Sequence, residues 1–201
     1  PHWHLDAGAV VNGSPLAAGE EYDPGDLIAR TTATRSSPSG LSSIIGVADG
    51  STIYAMGSSA FQPNLGFSAE ELNAVDWLGD ITVSLTSWTI PSGADFALYT
   101  TNLAGTTVVD RIFSTFAPTA TDFSNSFAIT PGDHLHFQWG FTTPGTYSFT
   151  FQWSGTHVSD GLITTSDTFT VEVIPEPSTY ALILMGIAVL LWFRRRSVAA
   201  L

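Results

Sequence analysis

Cysteine is absent from this 201-residue chain, and so is lysine. Without thiols there are no disulfides, no thiolate metal sites and no cysteine nucleophile. The fold must hold by core packing, and any metal must be held by His and carboxylate side chains. Basic charge is scarce as well. Eighteen Asp and Glu face six arginines, and three of those, Arg194, Arg195 and Arg196, sit at the far end. Before Pro175 only Arg30, Arg35 and Arg111 oppose 17 carboxylates. A surface of this sign repels phosphate backbones and excludes nucleic acid as a partner. It suits a solvated extracellular protein, or one that meets cations. Also missing are a Gly-x-Ser-x-Gly elbow, a His-Glu-x-x-His pair and a phosphate-cradling glycine loop. The expectation is a protein that is not an enzyme.

The chain starts at Pro1 rather than Met, and no charged stretch leads into an apolar one near its start. We therefore expect a mature form or a fragment whose signal peptide has been removed, and a lost upstream domain stays open.

What is present is a run of strand signals. Ile81 to Ile90 alternates apolar and polar residues, the pattern of a half-buried antiparallel strand. Phe96 to Thr100, Thr106 to Phe113 and Ser126 to Thr130 read as further strands, punctuated by Pro and Gly. His134 to Phe141 reads as one strand, with Tyr147 to Trp153 as its hairpin partner across a Pro144-Gly145 turn. Asp167 to Ile174 closes the pattern. Aromatics make up 12% of the chain, with 13 Phe and 6 Trp, enough for a dense core without disulfides. Strands at this spacing predict an all-β fold, an immunoglobulin-like or jelly-roll β-sandwich. One short helix is expected from Ala69 to Asn73, with Ser68 as N-cap and Glu71 closing a capping box. Glu70 and Glu71 then read as solvated capping residues. Thr31 to Ser43, rich in Ser and Thr, reads as a long exposed loop or an edge hairpin.

The body is taken as residues 1–174 and the tail as 175–201. The tail opens on Pro175-Glu-Pro177, which breaks any strand. From Tyr180 to Phe193 come 14 uncharged residues, then the three arginines. About 20 helical residues cross roughly 30 Å of hydrocarbon, so this run is a short transmembrane helix helped by Ser178, Thr179 and snorkelling arginines. Three cations after an apolar run place that end in the cytoplasm and the body outside the inner membrane. Pro-Glu-Pro, apolar helix and Arg cluster in this order resemble a PEP-CTERM sorting signal. That resemblance implies export, transient anchoring by residues 180–193, and processing by an exosortase-type enzyme.

The five histidines fall in three places. His2 and His4 stand in Pro1-His-Trp-His-Leu-Asp6, His134 and His136 in Asp133-His-Leu-His136, and His157 alone in Gly155-Thr-His-Val-Ser-Asp160. Residues i and i+2 of a strand share a face, so each pair can present two imidazoles side by side. Neutral imidazoles suit zinc, copper or nickel rather than calcium. The candidate zinc ligands are His4, His134 and His136, with Asp6, His2 or His157 completing or supporting the shell.

The body opens on the His-x-Asp of His4 and Asp6, followed by Leu65-Gly-Phe-Ser-Ala-Glu-Glu-Leu72 and Trp77-Leu-Gly-Asp-Ile-Thr82. Gly93-Ala-Asp-Phe-Ala-Leu-Tyr99 and Asp133 through Tyr147 continue the order. With these motifs the body as a whole resembles the choice-of-anchor M surface proteins, and among them the Zur-repressed PEP-CTERM proteins of cyanobacteria and relatives. Zur is a zinc-uptake regulator. The resemblance implies an envelope protein made when zinc is scarce, working beside a metal importer. The competing expectation is a structural or adhesive matrix protein that binds extracellular polysaccharide on exposed rings such as Trp3, Trp139 and Trp153. Clustered histidines would favour metal; a flat exposed Trp strip would favour sugar.

Overall fold

The computed structural model describes residues 2–5, 7, 9–57, 65–116 and 125–175. Its strands in chain order are β1 (Trp3–Leu5), β2 (Val10–Val11), β3 (Ser14–Pro15), β4 (Glu20–Tyr22), β5 (Ile28–Thr31) and β6 (Thr34–Ser36). A single turn of helix, α1 (Ser42–Ile45), precedes β7 (Thr52–Met56), β8 (Gly66–Ser68) and β9 (Ile81–Thr89). Then come β10 (Phe96–Thr101), β11 (Val108–Ser114), β12 (Ser126–Ile129), β13 (His134–His136), β14 (Gln138–Phe141), β15 (Gly145–His157) and β16 (Gly161–Val173). The all-β expectation holds.

Two five-stranded sheets dominate, in the orders β11-β10-β14-β7-β6 and β12-β9-β15-β16-β5. Their inner faces meet in one aromatic core. Phe96 of the first sheet lies 4.2 Å, centroid to centroid, from Phe149 of the second. Phe113 and Trp139 reach Phe151 in the same way. The alternation read in Ile81 to Ile90 decides which residues enter this core: Ile81, Val83 and Leu85 are buried while Thr82 and Thr86 are exposed. Each fully buried Phe contributes about 1.5–3 kcal/mol relative to exposure. Packing of this kind replaces the missing disulfides.

The long β15–β16 hairpin is the spine of the second sheet, with thirteen paired positions from Gly145↔Val173 to His157↔Gly161. Its three-residue loop closes on Gly161 in a left-handed conformation, φ 74°, which a side chain disfavours. At the other end the Tyr147 hydroxyl donates to the Thr143 carbonyl at 2.7 Å. This bond pins the start of β15 to the segment that precedes it.

Three expectations are corrected. The run His134 to Phe141 is not one strand. It divides at Phe137, whose buried ring packs on Phe67 and Phe127. β13 pairs with β8, whereas β14 pairs with β10 and β7. Nor does Tyr147 to Trp153 pair with it. β15 lies between β9 and β16, so the chain crosses from one sheet to the other at Thr142–Pro144. Thr142 ties that crossing down by donating its backbone N–H to Asp95. The third correction concerns residues 69–73, which are turns rather than helix. The Ala69 backbone is already taken: its N–H donates to Asp133 and its carbonyl accepts from Leu72 and Gly132. Ser68 Oγ accepts from the Glu70 N–H two residues on, closing a turn instead of capping a helix. A 3-10 turn follows at Ala74–Asp76, capped by Asn73.

Thr31 to Ser43 contains an edge strand, β6, but it is less exposed than its composition suggests. Thr31 and Ser37 are buried, and Leu41, Ile44 and Ile45 of the following segment form a second small core with Ile53, Ala97 and Tyr99. The apolar helix expected over 180–193 lies outside the described residues. Among the described residues no helix is long and apolar enough to cross a membrane.

Candidate functional site

The N-terminal arm builds the site by strand alternation. β1 pairs with β4, setting Trp3 opposite Tyr22 and His4 opposite Glu21. Trp3 is buried, and its indole N–H donates to the Pro24 carbonyl at 3.3 Å. With Trp3 turned into the core, His2 and His4 must point the other way. His2 Nε2 lies 3.8 Å from Glu21 Oε1 and 3.7 Å from Glu71 Oε1. One ligand atom from each of His2, His4, Glu21 and Glu71 lies within 4.8 Å of all the others. An open cleft lined by His2, Glu21, Tyr22, Asp23 and Asp26 borders the group.

Glu71 comes from the turn after β8, and its neighbour Glu70 faces the second histidine pair. The His134 Nδ1–H donates to Glu70 Oε1 at 2.8 Å. That bond, with a second from Ser68, holds the Glu70 carboxyl below the usual carboxylate range, and the nearby His134 and His4 charges add to it. His134 and His136 stand edge to face, ring centroids 5.0 Å apart. Their exposure follows from the β13–β8 ladder, which pairs them with Ser68 and Gly66 on the outward face. A Cβ at Gly66 would lie 2.5 Å from the Leu135 carbonyl oxygen and 3.0 Å from His136 Nδ1. Glycine there lets β13 and the His136 ring close over β8.

His2 and His4 are thus brought together, and His134 is brought to the adjoining carboxylate Glu70 with His136 beside it. His157 goes elsewhere. It sits at the tip of the β15–β16 hairpin against Trp77, with Asp160 Oδ2 at 3.0 Å and Ser159 Oγ at 3.1 Å from its Nδ1. Asp6 lies outside the described residues. Glu21, Glu70 and Glu71 are the participants that sequence spacing did not pick out. Glu70 and Glu71 read as capping residues, and nothing local ties Glu21 to a strand pair with His4.

Two imidazoles and two carboxylates are an ordinary donor set for zinc, and no thiol is required. Metal–ligand distances of about 2.0–2.2 Å imply donors about 3.3–3.6 Å apart in a tetrahedron. The ligand atoms stand up to 4.8 Å apart, wider than that spacing, and Glu21 and Glu71 are exposed side chains. Two of the three rings expected as a sugar platform are buried and the third, Trp153, is half-buried, so they form no flat exposed strip. Trp3 and Trp139 are buried, and Trp153 packs against Phe169 and Phe151.

Comparison with protein families adds a decisive feature at the other end of the chain. Residues 173–197 match the PEP-CTERM protein-sorting motif. The PEP-CTERM match begins at Val173, the last residue of β16, so the signal follows directly on the final strand. A PEP-CTERM signal implies an exported, cell-surface-sorted protein that is processed by an exosortase. No curated protein and no solved structure matches the chain.

Proposed function

We propose that this is an exported surface protein that binds zinc, or a similar transition metal, at His2, His4, Glu21 and Glu71. The observation carrying the reading is the convergence of four donor groups from three separate segments on one exposed face. The resemblance to choice-of-anchor M and Zur-repressed surface proteins supports it, and suggests metal capture in zinc scarcity and hand-over to an importer. The role is binding rather than catalysis, and a transient helical anchor over residues 180–193 would hold the body at the membrane before exosortase processing.

Zinc titration of the tagless chain by calorimetry and thermal melting tests the reading. Zinc should give heat and raise the melting temperature by mass action. Both effects should shrink on acidification, because a ligating imidazole must be unprotonated. The double change His2→Ala with His4→Ala should remove most of both. No heat and no melting shift well above micromolar zinc would refute the proposal.

A second reading, an adhesive matrix protein, is favoured by the outer face of the second sheet. Cross-strand rows there are nearly all hydroxyl: Thr82, Ser154 and Thr164 in one, Ser148 and Thr170 in another. Thr150 and Thr168 pair at 2.9 Å. Among the described residues, charge on this face is confined to the Arg30–Glu172 ion pair at one end of the row beside Thr146; the hydroxyl rows suit a neutral polysaccharide, and cosedimentation with neutral glycans checks it.

A further inference from the structure

The turn carrying Glu71 also carries Glu70, and the two carboxylates go to different histidine pairs. Glu71 faces His2, while Glu70 accepts from His134 Nδ1 at 2.8 Å. A carboxylate only accepts, so Nδ1 is the protonated nitrogen of this bond, and in the neutral ring, the form that ligates a metal, Nε2 carries the lone pair. This is the carboxylate–histidine arrangement that orients metal-ligating imidazoles. The His136 ring stands beside it at 5.0 Å. The four donors around His2 already suffice for a tetrahedral shell, and His134 and His136 are not among them.

We propose that this face takes two zinc-like ions: one at His2, His4, Glu21 and Glu71, and a second at His134 and His136, with Glu70 as the positioning residue for His134. The proposal rests on the reading of the first site. The two sites differ in character. The first can close its shell with protein groups alone. The second offers two imidazoles and leaves positions for water or an incoming ligand, so it exchanges metal faster. Consecutive residues Glu70 and Glu71 link them through one short turn.

Zinc stoichiometry of the tagless full chain in mild detergent tests the idea, measured by calorimetry and by metal analysis after dialysis. Wild type should bind two ions, one tighter than the other. His134→Ala with His136→Ala should leave one tight ion, and His2→Ala with His4→Ala one weak ion. Glu70→Gln should weaken the weaker site about tenfold to a hundredfold and leave the tighter one unchanged. Nitrogen-15 NMR of the imidazoles supplies a readout that a merely structural Glu70 would not move. Without metal, His134 should be protonated on Nδ1, a preference lost in Glu70→Gln, and zinc should shift its Nε2 signal. One ion in wild type, or an unshifted His134 signal, would overturn the second site and leave the first standing. No ion at all would overturn both. A Glu70→Gln variant with wild-type affinities and tautomer would overturn the positioning role. Melting curves of each variant establish that a lost ion is not a lost fold.

Discussion

Trp3 meets Phe169 edge to face, ring centroids 4.9 Å apart and planes at 86°. This contact joins an arm only three residues into the chain to the last strand of the sandwich, and it fixes which way the flanking histidines point. Trp3→Ala should destabilise the protein by about 3–5 kcal/mol, the usual cost of emptying a buried aromatic site. It should also weaken zinc binding, because His2 and His4 lose the anchor that holds them beside Glu21 and Glu71. Thermal melting and zinc titration measure the two effects separately. Unchanged zinc affinity in a folded Trp3→Ala protein would show that the arm is held by something else.

Two tyrosines should respond oppositely to loss of the hydroxyl. Tyr147 donates to the Thr143 carbonyl, so Tyr147→Phe should cost about 0.5–1.5 kcal/mol. Tyr99 is fully buried and its hydroxyl has no partner among the described residues. Burial pushes its phenol up to about 12, so it stays neutral throughout the working range. Tyr99→Phe should therefore leave stability unchanged or raise it slightly. Denaturant unfolding of both variants at neutral pH is the check.

Acid should loosen the loop before α1. Asp49 Oδ2 accepts from the Gly40 N–H at 2.9 Å and Oδ1 from the Ser42 N–H at 3.1 Å. Those two backbone donors hold the carboxyl below its usual range. The folded state thus binds a proton less readily than the unfolded chain. The stabilisation is complete above the unfolded value of about 3.9 and is lost as pH falls through the folded one. Asp49→Ala should melt lower than wild type at pH 7, with the gap closing in strong acid. A gap that is constant with pH would exclude ionised Asp49 as the cause.

The sorting signal should be separable from the fold. The last described strand ends at Val173, where the sorting motif begins, and Pro175 and Pro177 stand just beyond it. Deleting residues 176–201 should leave a soluble domain with a cooperative melt at the wild-type temperature. Replacing Arg194, Arg195 and Arg196 by Ser should disturb surface sorting, read by fractionation, without changing that melt. Normal sorting of the triple variant would refute a topological role for the arginines.

Much was determined by the sequence alone. Period-two alternation decides which side chains of β9, β15 and β16 enter the core, because successive residues of a strand must face opposite ways. The same rule makes each His-x-His a pair on one face, and the absence of thiols restricts any metal to His and carboxylate donors. The order Pro-Glu-Pro, apolar run and arginines carries its message without any fold at all.

Tertiary structure decided the neighbours. Alternation says which face a residue occupies but not which strand lies beside it, so the crossing at Thr142–Pro144 was invisible and a local hairpin was expected in its place. The capping box at Ser68 gave way because long-range partners at Asp133 and Gly132 had taken the Ala69 backbone. Glu21 and Glu71 join His2 and His4 only because β4 pairs with β1 and the turn after β8 is folded against that pair. Ligand sets of this kind are assembled from distant segments by core packing, which local spacing does not encode.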